Sequence, residues 1–295
     1  TMPLRTDVAL KPAASFSLIG KRMPRKDLVP KVTGRAEFGI DVHEDGMLVA
    51  ALALGPHRHA KVAVTGLEEA RSMPGVKAVA QVNGGYAVIA NNYWRARKAA
   101  EKLTVSASES PIAGIDDAKI ALTIAKAFDT VPAEPFPDVD ITTTPQRFTP
   151  GNPAAVASAI ASAQRKLEAE YSVPYLAHAT LEPLCCSARL KDGELLVRGP
   201  LQAPEASRDL AAALSGLPLE KVRVEVTFIG GGFGRKWSTD FVEVAVQAAL
   251  AAPGQMVKTI WTREQDFAQD EFRPAFAARY TAGIGADGSL QAMDS

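Results

Sequence analysis

The sequence predicts an α+β fold, on three observations. Stretches with period-2 alternation, such as 222–227, stand between windows with helical spacing, such as 204–215 and 241–250. Apolar runs pair about turn dipeptides: Asn83-Gly84 separates 76–82 from 86–90, and Asp192-Gly193 separates 184–190 from 194–199, as in hairpins. No internal repeat or low-complexity tract turns the chain toward a solenoid or a disordered tail.

Taken in order, residues 1–27 are polar and basic, with Pro3, Pro12 and Pro24, and predict an extended lead-in whose Arg22, Arg25 and Lys26 form a solvated basic surface. A compact module is expected over 28–106. It contains a strand at 36–42, a turn at Glu44-Asp45-Gly46, strands at 47–54 and 62–64, a helix at 67–72 ended by Pro74-Gly75, the 76–90 hairpin, a helix at 93–102 and a strand at 103–105. Residues 107–153 change character, with Pro111, Pro132, Pro135, Pro137, Pro145, Pro150 and Pro153. They read as a surface linker with one helical window at 116–128. A second module is expected over 154–295. It opens with an alanine-rich helix at 154–166 and a strand at 167–173, includes a strand at 256–261, and has a helix capped by Thr262. It closes with two strands about Asp287-Gly288. The composition shifts at Ser106 and near Ala154 suggest that the two modules do not share a sheet.

Composition narrows the function. Lys+Arg and Asp+Glu are both 33, and a balanced charge argues against a nucleic-acid or anionic-membrane partner held by bulk charge. No apolar run approaches the ~18 residues of a membrane-spanning helix, and residues 1–20 lack a signal-peptide core. Cys185 and Cys186 are adjacent, a poor geometry for a disulfide and too few ligands for a metal site, so two buried thiols on a strand are expected. His57 and His59 flank Arg58 without an acidic or cysteine partner nearby and read as a solvated loop. No metal site is expected.

The organising stretch is Val224-Glu225-Val226-Thr227-Phe228-Ile229-Gly230-Gly231-Gly232-Phe233-Gly234-Arg235-Lys236. It reads as a strand ending at Ile229, a glycine-rich turn and then a helix. Such a turn can present successive N–H groups to an anion or oxo group, and the helix N-terminus at 241 would face the same spot. The pattern is neither a Walker A loop nor G-x-G-x-x-G, and a tight bend or close backbone crossing is the alternative.

Several stretches together resemble the large molybdenum-binding subunit of the xanthine dehydrogenase and aldehyde oxidase superfamily, nearest to the isoquinoline 1-oxidoreductase beta subunit and its aldehyde dehydrogenase relatives. They are Lys31-Val32-Thr33-Gly34-Arg35-Ala36-Glu37-Phe38-Gly39-Ile40-Asp41-Val42, Met73-Pro74-Gly75-Val76, Tyr93-Trp94-Arg95-Ala96, Leu176-Ala177-His178-Ala179-Thr180-Leu181-Glu182-Pro183, Gln202-Ala203-Pro204, the loop from Gly230 to Arg235, and Thr262-Arg263-Glu264-Gln265-Asp266.

The resemblance implies an α/β hammerhead module at 28–106 and the first part of a molybdopterin-binding domain at 154–295. It implies a molybdenum pterin cofactor, in the cytosine dinucleotide form in this branch, with Gly231, Gly232, Phe233, Gly234 and Arg235 beside it. Trp237, His178 and Glu182 are candidate pocket residues. The alternatives are that His178 bonds a neighbouring backbone, that Glu182 braces a loop, and that tryptophans such as Trp237 serve packing. Trp237 follows Lys236 where xanthine enzymes place a substrate-binding glutamate, and Leu176 stands where they place a glutamine. The family's general-base glutamate belongs to a Gly-x-Gly-Glu segment that would follow Ser295. The expected function is therefore a fragment of an enzyme that oxidises an aldehyde or N-heteroaromatic compound with water-derived oxygen. It would pass electrons to a small [2Fe-2S] subunit, with a cytochrome as a further partner. The fragment alone is expected to be inactive, to bind no cofactor tightly and to self-associate through apolar surface. The alternative is a non-catalytic binding or scaffold module that keeps the fold. The resemblance leaves open a periplasmic or cytoplasmic location, because relatives are often exported.

Overall fold

A computed structural model describes residues 8–58, 60–109, 114–130 and 152–295. His59 and most of the proline-rich stretch fall outside the described residues. In chain order the elements are α1 (Leu28–Val32), β1 (Leu48–Leu54), β2 (Lys61–Thr65), α2 (Leu67–Ser72), β3 (Val76–Val82), β4 (Gly85–Ala90), α3 (Tyr93–Ala100), β5 (Thr104–Glu109), α4 (Asp117–Thr130), α5 (Pro153–Ser162), β6 (Arg165–Val173), β7 (Cys185–Lys191), β8 (Glu194–Gly199), α6 (Pro204–Ser215), β9 (Val222–Val226), α7 (Asp240–Leu250), β10 (Val257–Ile260), α8 (Arg263–Ala268), β11 (Phe276–Ile284) and β12 (Leu290–Asp294). The α+β expectation holds. Residues 8–26 are exposed, with one short 3-10 turn at Ala13–Ser15.

A seven-stranded sheet in the order β3-β4-β1-β10-β7-β8-β9 forms the centre. It corrects the expectation of two modules with separate sheets. β1, from the first half, pairs in parallel with β10, from the second, with Leu48 opposite Val257 and Ala51 opposite Ile260. The reason lies in the strands. β1 is apolar on both faces and carries a neighbour on each edge, β4 on one side and β10 on the other. The composition shift near Ser106 falls within β5, which lies outside this sheet and pairs with β2.

The two faces of β1 bury into different cores. Leu48, Ala50 and Leu52 join Phe241, Val244, Ala245 and Ala248 of α7. Ala51 packs instead with Val88 and Ala90 of β4 and with Ala96, Ala99 and Ala100 of α3. Helices thus cover both faces of this part of the sheet. Cys185 and Cys186 are fully buried on β7, as expected, and both are free thiols. β6, β11 and β12 form a separate antiparallel sheet, and β2 pairs with β5.

Other boundaries moved for local reasons. Residues 36–42 are not a strand: Gly39–Asp41 is a 3-10 turn, held by the Asp41 carboxylate accepting the Phe38 N–H at 3.0 Å, and Phe38 makes a single bridge to Phe228. The helix expected over 154–166 ends at Ser162, because Ala163 is extended (φ −63°, ψ 144°) and leads into β6. Its start is well defined by Pro153 at the first position and by Asn152, whose side chain accepts from the N–H groups of Ala154 and Ala155. Thr262 caps α8 as expected, in a capping box with Gln265, and the Gln265 amide also reaches the Leu52 carbonyl on β1 at 2.7 Å.

Candidate functional site

β9 ends at Val226, three residues before the expected end at Ile229: the Thr227 N–H still donates to Gly199, the last residue of β8, and Phe228 then turns to bond the Glu37 carbonyl. The glycine loop follows. Gly231 (φ 97°), Phe233 (φ 54°) and Gly234 (φ 104°) all lie in the left-handed region. Only Phe233 carries a side chain there, at a cost of about 1–3 kcal/mol, and that ring is 69% exposed. Among the described residues, the N–H groups of Gly231, Gly232, Phe233 and Gly234 donate to no protein acceptor, whereas Gly230 and Arg235 on either side do. The loop therefore offers four successive main-chain donors, the arrangement that suits an anion or an oxo group.

Two buried side chains hold the loop from beneath. Glu182 accepts the Gly230 N–H on Oε2 at 3.0 Å and the Ile40 N–H on Oε1 at 3.2 Å, and Lys236 Nζ donates to Oε2 at 2.6 Å. The Glu182 N–H donates in turn to the Gly230 carbonyl at 2.9 Å. Glu182 is thus a brace rather than an open pocket residue. On the other side, Gln202 pairs with Lys236 twice: its main-chain N–H donates to the Lys236 carbonyl at 3.0 Å, and its side-chain oxygen accepts the Lys236 N–H at 3.1 Å.

Arg235 corrects an expectation. Its guanidinium is fully buried and does not face the loop surface. It donates to both Asp240 oxygens at 2.9 and 2.7 Å, and its Nε lies 3.2 Å from Asp270 Oδ1 and 3.8 Å from Asp266 Oδ1. Burial raises the Asp266 carboxyl above its usual range, against the pull of Arg235 and Arg263. The α7 N-terminus is likewise closed by its own residue, since Asp240 accepts the Phe241 N–H and also binds Arg58. The expectation that this helix end faces the loop's ligand does not hold.

His178 sits at the loop's exposed end. Its ring Nδ1 is 2.9 Å from Asp270 Oδ1 and its main-chain N–H donates to Asp270 Oδ2 at 2.7 Å, so its partner is a carboxylate and not the neighbouring backbone. Around the loop, Phe233, Trp237 (68% exposed) and Leu181 (90% exposed) present apolar side chains to solvent, and the Leu181 main chain lies near Gly231. His57 bonds the Arg58 carbonyl through Nδ1, and no metal-binding cluster of His, Cys, Asp or Glu occurs among the described residues. Two cavities of about 330 and 350 Å³ lie elsewhere, one between β1, α3 and α8 and the other between α4, β6 and β11.

The sequence reading placed Gly231, Gly232, Phe233, Gly234, Trp237 and His178 together, and the structure does the same. Gln202, Lys236, Asp240 and Asp270 were missed as parts of the site. Gln202 had a signal in its resemblance motif, whereas Asp270, in a polar run between α8 and β11, had none.

The chain's resemblances agree with this geometry. The molybdopterin cofactor-binding domain family matches residues 139–295, more than half of the chain. The beta subunit of isoquinoline 1-oxidoreductase from Brevundimonas diminuta is 29% identical over 290 residues, covering 96% of this chain and 35% of that protein. The xanthine dehydrogenase molybdenum-binding subunit of Escherichia coli O157:H7 is 27% identical over 308 residues, covering 90% and 39%. The chain thus spans somewhat over a third of the length of these relatives. A crystal structure of the Cu,Mo-CO dehydrogenase shares the fold, with a TM-score of 0.66, 22% identity and coverage of 93% of this chain and 39% of that one. With a matching family over 139–295 and a run of free main-chain donors inside that region, the chain belongs to the molybdopterin cofactor-binding domain family.

Proposed function

We propose that this chain supplies one wall of the cofactor site of a molybdenum-dependent hydroxylase that oxidises an aldehyde or N-heteroaromatic substrate. The observation that carries the reading is the run of four N–H groups from Gly231 to Gly234 that no protein acceptor uses. The donor set fits an oxygen-rich, anionic group, and the family match supports a molybdopterin there. When bound, that cofactor would supply the two-electron oxidation chemistry. The chain's own residues would bind and orient. Gly231, Gly232, Phe233 and Gly234 would donate main-chain hydrogen bonds, while Phe233, Trp237 and Leu181 would exclude water from the mouth of the site. Glu182, Lys236, Gln202 and Arg235 hold the loop's shape.

The cytosine dinucleotide form, a [2Fe-2S] partner and a cytochrome are the finer parts of the proposal. Relatives named as the beta subunit of an oxidoreductase and as the large molybdopterin subunit of a nicotinate dehydrogenase support an assembly of several chains. The general base is proposed to come from a Gly-x-Gly-Glu segment supplied beyond this chain. The test is to co-express the chain with a polypeptide carrying that segment, in cells that make the cofactor, and to measure molybdenum and pterin. Stoichiometric metal in the native complex, lost in Gly232→Val with an unchanged circular dichroism spectrum, is expected. Equal metal in both would overturn the loop assignment.

A further inference from the structure

Arg58 stands in the turn after β1, far from the glycine loop in sequence, and its guanidinium joins two carboxylates that reach that loop. Nη1 donates to Asp240 Oδ2 at 2.9 Å and to the Gln269 carbonyl at 3.2 Å, and Nη2 lies 2.7 Å from Glu271 Oε1. Asp240 passes the contact to Arg235, whose Nη2 is 2.7 Å from the same Oδ2. Glu271 passes it to Ser238, whose hydroxyl donates to the same Oε1 at 2.9 Å. The two arms thus end on the residues that flank Lys236 and Trp237. Lys236 is already held by Glu182 and Gln202. Trp237 has a main-chain bond to the Gly234 carbonyl at 3.0 Å, but its exposed indole makes no hydrogen bond or ring contact among the described residues.

The segment that carries Glu271 is itself anchored. The Gln269 side chain donates to the Gly55 carbonyl at 2.7 Å in the interior, and the Arg273 main chain exchanges two bonds with Leu176, at 2.8 and 3.3 Å. Between them Phe272 has φ 28°, an outlier for a bulky side chain. Such a conformation persists only where its neighbours over-determine it. We infer that Arg58 is a positioning residue of the proposed cofactor site: its two arms hold Arg235 and Ser238 against this anchored segment and so fix where the Trp237 indole stands at the mouth. The inference rests on the reading of the loop as a wall of that site. The attraction to Glu271 is weak in itself, because that carboxylate is about half exposed and solvent screens it. What Arg58 supplies is geometry, since a planar guanidinium presents its donors in a fixed fork.

The chain has three tryptophans, and ¹⁵N relaxation of their indole N–H groups in the full chain makes the test. Arg58→Met is expected to lower the order of the Trp237 indole and to leave Trp94 and Trp261 unchanged. Ser238→Ala cuts one arm without removing a charge, and should loosen the same indole with little loss of stability. Arg58→Lys, a point charge without the fork, should fall between native and Met. A Trp237 indole as ordered in Arg58→Met and Ser238→Ala as in the native chain, whatever the denaturation midpoint does, would show that Arg58 only holds the fold together and would overturn the inference. Should Arg58→Met not fold, Ser238→Ala decides by the same criterion. In the co-expressed complex, with benzaldehyde as the probe, Arg58→Met should keep its molybdenum and raise KM about tenfold, with kcat changed less than about twofold. An unmoved KM would overturn the role at the mouth. A native complex without molybdenum would instead overturn the reading of the loop as a cofactor site, and the indole measurements would still decide whether Arg58 clamps Trp237.

Discussion

Lys236 Nζ and Glu182 Oε2 meet at 2.6 Å with both side chains buried, and through this pair β9's loop is tied to the segment before β7. The carboxylate is fully used: one oxygen takes Lys236 and the Gly230 N–H, and the other takes the Ile40 N–H. An apolar pair of the same shape could hold these segments together, but it could not fix the Gly230 and Ile40 N–H groups at one point.

Breaking this pair on one side is expected to cost about 3–5 kcal/mol, because it leaves a buried charge without its partner. Glu182→Gln should lower the unfolding free energy read from urea denaturation by that much. The double variant Glu182→Gln/Lys236→Met should recover part of the loss. Additive losses in the double variant would mean that the two residues act independently.

Gly232 tests the second tie. A Cβ there would stand 2.4 Å from the Gln202 side-chain oxygen that accepts the Lys236 N–H. Its φ is not in the left-handed region, so the need for glycine comes from this contact and not from backbone strain. Gly232→Ala is expected to cost about 1–3 kcal/mol through displacement of Gln202. Adding Gln202→Ala should then cost much less than it does in the native chain, a non-additivity readable in paired denaturation curves. Equal costs in both backgrounds would show that Gln202 is not what Gly232 accommodates.

How much of this was legible in the sequence depends on how local each cause is. The Thr262 cap, the Asn83-Gly84 hairpin and the Pro204 helix start are set by residues within a few positions of each other, and each falls where the sequence put it. The pairing of β1 with β10 joins residues about two hundred positions apart, and no local pattern encodes it. The 36–42 segment shows the same limit. It alternates like a strand, yet its carbonyls at Ile40 and Val42 are taken by Lys258 Nζ from β10, at 2.7 and 2.8 Å, and not by a neighbouring strand. Arg235 looked like a loop residue because its partners Asp266 and Asp270 are some thirty positions away.

Burial should silence both cysteines. The Cys185 thiol is pushed up by desolvation and then by the Glu182 charge, and the Cys186 thiol is pushed up to about 12 by burial. Thiolate is the reactive form. In native buffer at neutral pH, neither should react with a thiol reagent within the time in which an exposed cysteine is fully modified, and both should react in denaturant. Rapid modification of either in the native chain would contradict the packing of β7.

Lys258 gives a pH test in the alkaline range. Burial lowers its pKa, opposed by Cys185 and Asp41. The folded chain therefore releases this proton at lower pH than the unfolded chain does. Between the two values the unfolded state binds more protons, and stability rises with pH. Relative to Lys258→Met, the native chain should gain stability as pH rises through the lowered lysine value, up to the unfolded one. A stability difference that stays flat across this interval would mean that the ammonium is not strained by its burial.

Arg235 gives the opposite sign at acid pH. Replacing it by Met leaves Asp240 with Arg58, while Asp266 and Asp270 lose the buried cation between them. At neutral pH the expected cost is up to about 3–5 kcal/mol, since Asp266 and Asp270 are left in the interior with only Arg263 and His178 as partners. Asp266 already stands above its usual range through burial, and Arg235 is the first of the groups that hold it down, so its value should rise further in the variant. A carboxyl whose folded value is raised contributes stability that is present below its unfolded value and is lost as pH rises through the folded one. The deficit of Arg235→Met should therefore be largest at neutral pH and should shrink as acid protonates Asp266. Arg235→Lys keeps a charge but not the two-pronged contact with Asp240, and should fall between the two at every pH. Thermal midpoints of the three proteins, measured from neutrality down through the raised carboxylate range, make the check. A gap between native and Met variant that stays constant on acidification would show that Arg235 stabilises the loop by packing alone.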